Sequence, residues 1–386
     1  MTPSPRVLMA VGVDAAVSRT PGPKRDYAQV SALVNADMID LGAIERSAAA
    51  RLIRFMFGSA PALAWLSFAR RAGYDVIVTD GEHVGIPLAL LLRCSRSPVR
   101  HITIGHRLSA RKKRPFFRVL RAHARMDLIA VHARRQYGIA IDELGIEPGR
   151  LALVPYQVDT AFFQPRPVPE ERLIVSAGLE FRDYATLFRA VEGLGADVVV
   201  AAASRWSRHK LATLAPPKNV RIDSLDYEAL RALYARAALV VVPLADVDNQ
   251  AGVTTILEAM AMGKAVIVSQ SLGQTDVIED RRTSGRGKLR PRTASFSRAL
   301  AAPSGTAVQA TGFYVAPGDP DELRRAIDFL LAHPVERLRL GEAGRHVAQS
   351  LFTVEQFGER MRDLITRAHR MADDAPLRSE VGRSQA

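Results

Sequence analysis

Asn249 to Ser269 reads NQAGVTTILEAMAMGKAVIVS, and the alternation within this stretch decides the fold. The polar loop Gln250-Ala251-Gly252-Val253-Thr254-Thr255 runs into a short apolar helix, Ile256 to Met262, which Gly263 stops. A buried strand, Ala265 to Val268, follows; upstream, Ala238 to Val242 is another, ending at Pro243. Such a strand, loop, helix, strand unit belongs to a parallel sheet and sets the helix N-terminus at the sheet's carboxyl edge. Unpaired amides there, with a dipole worth roughly half a positive charge, make a phosphate site. Glu258, in the first helical turns, is placed to accept hydrogen bonds from a sugar hydroxyl. An ordinary crossover helix has the same local pattern, so this stretch alone leaves both readings open.

The 386 residues predict two or three domains, and 48% hydrophobic content supplies a core for each. No uncharged apolar run reaches the ~18 residues of a membrane span. Arg6 to Val13 is too short for a signal peptide and reads as a first strand, so the expected location is the cytoplasm. Cys94 is the single cysteine, which rules out an intramolecular disulfide or a cysteine-cluster metal site. A net charge of +13, with pI near 10.3, attracts anions in general: nucleic acid, acidic lipid or phosphorylated substrates. The charge is uneven, with Arg107, Arg111, Lys112, Lys113, Arg114, Arg118, Arg121 and Arg125 crowding one segment.

Taken in order, the strand Arg6 to Gly12 leads into a Gly- and Pro-rich loop, with Asp26-Tyr27 opening a helix. Ala43 to Ala72 has helical apolar spacing, broken around Gly58 to Pro61. The strand Asp75 to Thr79 exits through Asp80-Gly81-Glu82-His83-Val84-Gly85, a polar loop before the helix Ile86 to Leu92. Strand exits line the cleft of open α/β sheets, so Asp80, Glu82 and His83 are site candidates; helix capping is the competing role. The strand His101 to Ile104 presents Gly105-His106-Arg107 at its exit, where a histidine serves as a ligand contact, a base or a structural hydrogen-bonder. In the basic run Ser109 to Arg125, Phe116, Phe117 and Leu120 fall near one helical face. That pattern suits a helix lying on an anionic membrane, and equally a core-facing helix with a solvated basic side. Nucleic acid is disfavoured, because aromatic interleaving is sparse and no binding motif occurs.

The strand Asp127 to Val131, the helix Gln136 to Leu144 and the strand Leu151 to Pro155 complete a first α/β series, and Pro165 to Pro169 reads as a linker. A second series runs from Leu173 to Ser176 through helix Tyr184 to Glu192, strands Asp197 to Ala201 and Val220 to Ile222, and helix Tyr227 to Arg236 into the opening stretch. The predicted organisation is an N-terminal Rossmann-like domain over 1–165 and a C-terminal one over 166–352. A basic insertion at 281–310, a helix at 353–371 and a disordered tail at 372–386 complete the chain.

With these residues in view, the chain resembles the GT-B glycosyltransferases, most closely the retaining nucleotide-sugar transferases of group 1, or family 4. LEAMAMGKAVIVS is similar to the family's donor-site helix and following strand, and VPYQVDTAFFQP to the segment closing the first domain. TGFYVAPGDPDELRRAIDFLLAHPVERLRLGEAGRHVAQSLFTVEQF is similar to its C-terminal passage. The resemblance implies two doubly wound domains facing a cleft, the last helix crossing back to the first. Glu258 matches the second glutamate of the family's Glu-x7-Glu motif, which binds the ribose; the first falls on Gln250, which keeps an acceptor oxygen without the charge. Gly252, Val253, Thr254 and Thr255 match the stretch that approaches the diphosphate and sugar. Ser176, Gly178 and Arg182 loosely match its first donor-domain motif, with Arg205 and Lys210 as helper cations. His106 matches the histidine that contacts the transferred sugar, and Gly12 the first-strand loop near the diphosphate, although the family's glycine doublet is absent. Glu82 and His83 fit the acceptor side.

By this resemblance the chain transfers a sugar from a nucleotide-sugar co-substrate to an acceptor, lipid or glycan, with retention, no cofactor and no obligatory metal. Asp246-Val247-Asp248 reads as a loop accident rather than a metal motif. Arg182, Glu258 and His106 carry the chemistry, with Arg182 offsetting the charge of the departing diphosphate. An anionic membrane touching Arg107–Arg125 would make the protein peripheral at the inner face. A nucleotide-sugar epimerase or hydrolase, a non-catalytic GT-B-like subunit and a basic nucleic-acid binder are the rivals.

Overall fold

In the computed structural model, which describes residues 4–14, 22–202, 214–278 and 310–373, the apolar runs of the sequence become parallel strands. The first half runs β1 (Val7–Ala10), α1 (Asp26–Val34), β2 (Asp37–Ile39), α2 (Leu41–Glu45), α3 (Ala48–Phe57), α4 (Ser59–Arg70), β3 (Val76–Thr79), α5 (Glu82–Arg93), β4 (Arg100–Gly105), α6 (Arg114–Arg118), β5 (Leu128–Val131), α7 (Arg134–Asp142) and β6 (Leu151–Leu153). The second runs β7 (Leu173–Ala177), α8 (Tyr184–Val191), β8 (Asp197–Ala201), β9 (Val220–Asp223), α9 (Tyr227–Arg236), β10 (Leu239–Val242), α10 (Val253–Ala261), β11 (Ala265–Ser269), β12 (Phe313–Val315), α11 (Pro320–Ala332), α12 (Pro334–Leu351) and α13 (Val354–Asp373).

These strands build two six-stranded parallel sheets, ordered β2-β1-β3-β4-β5-β6 and β12-β11-β10-β7-β8-β9. Strands β1, β3, β5, β7, β10 and β11 are buried along their whole length. Helices covering both faces of a parallel sheet require this, and it explains continuous rather than alternating apolar runs. In the first sheet Val7, Met9, Val76, Val78, Leu128 and Ala130 pack toward α1 and α13. Their neighbours Leu8, Ala10 and Ile77 pack toward α2 to α5, and Ile129 and Val131 toward α5 to α7. The strand order reverses between β1 and β3, and again between β7 and β10. Both switch points open crevices at the carboxyl ends of their strands.

The chain crosses between the domains twice, and the two crossings pair with each other. Val158 N–H donates to the Phe352 carbonyl (2.7 Å), and Val354 N–H donates to the Val158 carbonyl (3.1 Å). Helix α13 then returns to the first domain, where Phe357, Met361, Ile365 and Ala368 share a core with Met9 and Ile102.

Two local expectations change. The basic run Ser109 to Arg125 is not one amphipathic helix. It is a 3-10 turn at Arg111–Lys113, the five-residue α6, and a second 3-10 turn at Ala122–Arg125, interrupted by Arg121 in the left-handed region at φ 46°. Phe117 and Ala122 both enter the core beside Met126, and the chain must turn between them, so Leu120 is left 43% exposed instead of sharing their face. The loop after β3 is also shorter than expected, since α5 already starts at Glu82. Arg205, Lys210, the basic insertion over 281–309 and the tail beyond Asp373 lie outside the described residues. Among the described residues no helix is long and apolar enough to cross a membrane.

Because Met361 is fully buried in the first core, Met361→Ala is expected to lower stability by about 2–5 kcal/mol in urea unfolding. Asp363→Ala, on the exposed side of the same helix, is expected to stay within about 0.5 kcal/mol of the parent.

Candidate active site

At the second switch point β7 runs out into Gly178, whose φ is +91°, and the chain turns back through Phe181 at φ 57°. Arg182 therefore folds over its own loop. Its Nε donates to the Ala177 carbonyl (2.9 Å), Nη1 to the Glu180 carbonyl (3.0 Å) and Nη2 to Thr255 Oγ1 (3.0 Å). A Cβ at residue 178 would lie 2.4 Å from Nη2, so glycine there makes room for the cation, and a Cβ at 252 would lie 2.8 Å from Val242 Cγ1. Gly252, at φ +77°, caps α10 without a side chain. The first amides of α10 have no partner within the helix, and they share this end of the sheet with the guanidinium.

A cleft of about 310 Å³ brings this corner against the first domain. His106, His132, Gln136 and Tyr156 line it from one side, and Gly178, Arg182, Gln250, Gly252, Val253 and Thr254 from the other. The Oε1 of Gln250 is buried and has no hydrogen bond. Thr254 and Tyr156 also line an adjoining cavity of about 160 Å³, and there Glu258 meets Arg25, Asp26 and Tyr227. Burial pushes the Glu258 carboxyl up to about 7, against the opposing pull of the Tyr234 hydroxyl, 3.1 Å away, and of Arg182. It is a carboxylate poised near neutrality one turn beyond Thr254.

On the first domain, Gly12 N–H donates to Asp80 Oδ2 (2.7 Å), and the exposed His83 ring packs over Gly12 and Gly81. Nε2 of His106 donates to the Asp80 carbonyl (2.7 Å). Glu82, sealed at 2% exposure, accepts from His106 N–H (2.9 Å), Arg107 N–H (3.0 Å) and the Lys113 ammonium. Burial would raise its pKa, but Lys113 above all, with His106, holds it at about 2. Glu82 is thus the anchor of the His106 loop rather than a group open to an acceptor. Ser176 is likewise closed off inside β7, and does not line the cleft.

Sequence reasoning passed over His132, Gln136 and Tyr234. His132 Nδ1 donates to the Val154 carbonyl (2.8 Å), its ring centroid lies 5.2 Å from that of His106, and Tyr156 meets it edge-on at 4.9 Å. Burial first, then His106, lowers its pKa to about 3, so the imidazole is neutral with Nε2 free to accept. His132 stands one residue past β5, so the strand-exit argument that nominated His106 applies to it too. Gln136 carries no such signal: its Nε2 donates across the domains to the Asp248 carbonyl (2.8 Å). Arg134 N–H to Asp276 Oδ2 (2.8 Å), and Arg107 over the Phe181 ring (4.7 Å), join the same seam. Among the described residues no group of three His, Cys, Asp or Glu is arranged to hold a metal, and Asp246 Oδ1 already accepts from Leu272 N–H (2.9 Å).

Residues 184–333 match the family model described as glycosyl transferases group 1. No curated protein matches the sequence. Among solved structures, the sucrose-phosphate synthase of Thermosynechococcus elongatus superposes with a TM-score of 0.69 at 18% identity, covering 95% of this chain and 100% of that one. HepE of Anabaena, solved in complex with UDP, gives 0.66 at 13% identity over 94% and 100%. A glycosyltransferase of Rickettsia africae gives 0.62 at 13% identity over 94% and 98%. The group 1 match spans the helix that carries Thr255 and Glu258, and two parallel sheets meet across the cleft that this helix enters: residues 184–333 are those of a group 1 glycosyl transferase, and the protein is a glycosyltransferase with the GT-B fold.

Proposed function

We propose that the donor is a nucleoside diphosphate sugar, with UDP as its nucleotide, and that the sugar passes with retention and without an obligatory metal to a hydroxyl of a lipid or glycan acceptor. The observation that carries this reading is Arg182, held by two carbonyls and Thr255 at the open end of α10, with Glu258 one turn beyond Thr254 and His106 across the cleft. The diphosphate sits at the amides of Val253, Thr254 and Thr255, where Arg182 offsets the charge that builds as the glycosidic bond breaks. Glu258 accepts from the ribose hydroxyls. His106 Nδ1 faces the transferred sugar, and Glu82 acts through the loop it anchors. HepE, solved with UDP and with UDP-glucose, supports the choice of nucleotide.

Gln250 has no ionisable group, so it does not form a glycosyl ester. Retention then follows from attack on the face the diphosphate leaves, with the acceptor's proton passing to the departing phosphate oxygen. The acceptor enters on the first-domain side near His83. The positive charge of Arg107–Arg125 supports work at an anionic membrane surface on the cytoplasmic side.

UDP-sugars are expected to raise the melting temperature in a thermal-shift screen, and the best of them to turn over with a hydroxyl acceptor. Arg182→Ala should lower kcat on the order of a hundredfold or more, with KM for the donor changing less. A screen in which no UDP-, GDP- or ADP-sugar stabilises the protein would remove the donor assignment.

The raised pKa of Glu258 adds a pH test. Below its unfolded value both states are protonated and burial costs nothing; as pH rises toward about 7 and beyond, the folded state carries an unfavourable buried charge. Glu258→Gln should therefore match the parent at pH 4 and exceed it in stability at pH 8, by on the order of 1 kcal/mol or more in denaturant titrations. In the same variant, loss of the carboxylate should weaken donor binding at pH 8.

A further inference from the structure

Helix α3 carries Leu52, Phe55 and Met56 at 57%, 88% and 53% exposure, and Phe57 at its end is 68% exposed. Spacings of three and four residues set the first three on one outward face. The inward face is smaller, with Ala50 buried and Ile53 packed on the core beneath. The largest apolar side chains of this helix thus face away from the protein, in one contiguous ridge rather than singly scattered.

The charge is concentrated in the segment of chain that carries this ridge. Leu41 to Arg125 contains sixteen Lys and Arg against four Asp and Glu, so twelve of the protein's thirteen net positive charges fall there. The four acids are engaged. Glu45 pairs with Arg54, Asp75 with Arg6 (3.9 Å) and Glu82 with Lys113, while Asp80 accepts from Gly12 N–H at the cleft. Arg46, Arg111, Lys112, Arg118 and Arg121 are exposed.

Leu8 and Ile77 beneath α2 to α5, and Ile129 beneath α6, belong to the same face of the first sheet. The register confirms this, pairing Leu8 with Ile77, Ile77 with His101, and Thr103, two residues on, with Ile129. The α3 ridge and the turns around α6 therefore form one layer, and Val119, 76% exposed, adds an apolar tip among the cations. Gly58 passes the chain to α4, which runs back to the start of β3, so Phe57 lies at the end of the sheet where the strands open into the cleft.

We propose that this face docks on an anionic bilayer, with Leu52, Phe55 and Met56 entering the boundary between headgroups and acyl chains. The arginines and Lys112 lie on the lipid phosphates. A convex ridge of aliphatic and aromatic side chains bordered by cations matches that boundary, which is apolar inside and negative outside. The inference rests on the membrane reading proposed above, to which it assigns a surface, and needs none of the donor chemistry.

The full-length protein is tested by flotation with vesicles of phosphatidylglycerol and phosphatidylcholine, and with phosphatidylcholine alone. Binding is expected to the mixed vesicles only, and to fall on the order of tenfold or more in Leu52→Ser/Phe55→Ser. It should also weaken in Arg111→Gln/Lys112→Gln and at high salt. Phe55→Trp should be quenched by brominated lipid. Thermal stabilisation by the UDP-sugar, measured without vesicles, should be unchanged in Leu52→Ser/Phe55→Ser, so failure of docking and failure of the donor assignment are read separately. Absence of flotation, an unaltered Leu52→Ser/Phe55→Ser variant, or an unquenched Phe55→Trp would each overturn the proposal. Self-association that disappears in Leu52→Ser/Phe55→Ser, without flotation, would overturn it as well and assign the ridge to a second copy.

Discussion

A guanidinium withdrawn from water must have its hydrogen bonds supplied by the protein, and much of the second domain's cleft edge is arranged around that requirement at Arg182. Burial lowers the pKa of Arg182, yet the side chain remains a cation because its nitrogens find the Ala177 and Glu180 carbonyls and Thr255 Oγ1. Those contacts draw the exit of β7 toward the first turn of α10. Glycine at 178 makes room for the guanidinium, and glycine at 252 makes room for Val242 and Leu244 beneath the helix entry. Glu258 lies deeper along the same helix, where burial outweighs the favourable influence of Arg182 and Tyr234. One buried cation thus links the backbone conformation of two loops to the electrostatics of the helix end.

The opposite wall rests on a second buried charge. Glu82 holds the amides of His106 and Arg107 together with the Lys113 ammonium, so the first turn of α5 supports the exit of β4. His106 is oriented twice, by this carboxylate at its backbone and by the Asp80 carbonyl at its ring. The two walls face each other because the chain crosses between domains at one paired point, Val158 with Phe352 and Val354, and because α13 returns to the first core.

The two α/β series were legible because parallel strands buried on both faces leave unbroken apolar runs, and the reversal of strand order places their loops at one edge. Tyr227–Arg236 and Asp197–Ala201 carry strong local patterns, and they form over the predicted bounds. Ser109 to Arg125 did not yield in this way. Its helical spacing of Phe116, Phe117 and Leu120 is a local pattern, and burial of Phe117 and Ala122 in one pocket overrides it. Strand β2, only three residues long with two of them exposed, offers almost no pattern to read.

Along the chain, then, residue types and their periodicity determined two Rossmann-like series, a helix entry suited to phosphate at Gln250–Thr255 and the candidates Glu258 and His106, while Arg182 came from the resemblance to the group 1 transferases. Only the tertiary structure decided that Glu82 is an anchor beneath the loop, that His132 stands beside His106, and that the exposed apolar ridge belongs to α3. The physical reason is that burial and pairing depend on what lies opposite a side chain. Glu82 meets Lys113 thirty-one residues away and Gln136 meets Asp248 across 112, separations over which no local spacing carries information.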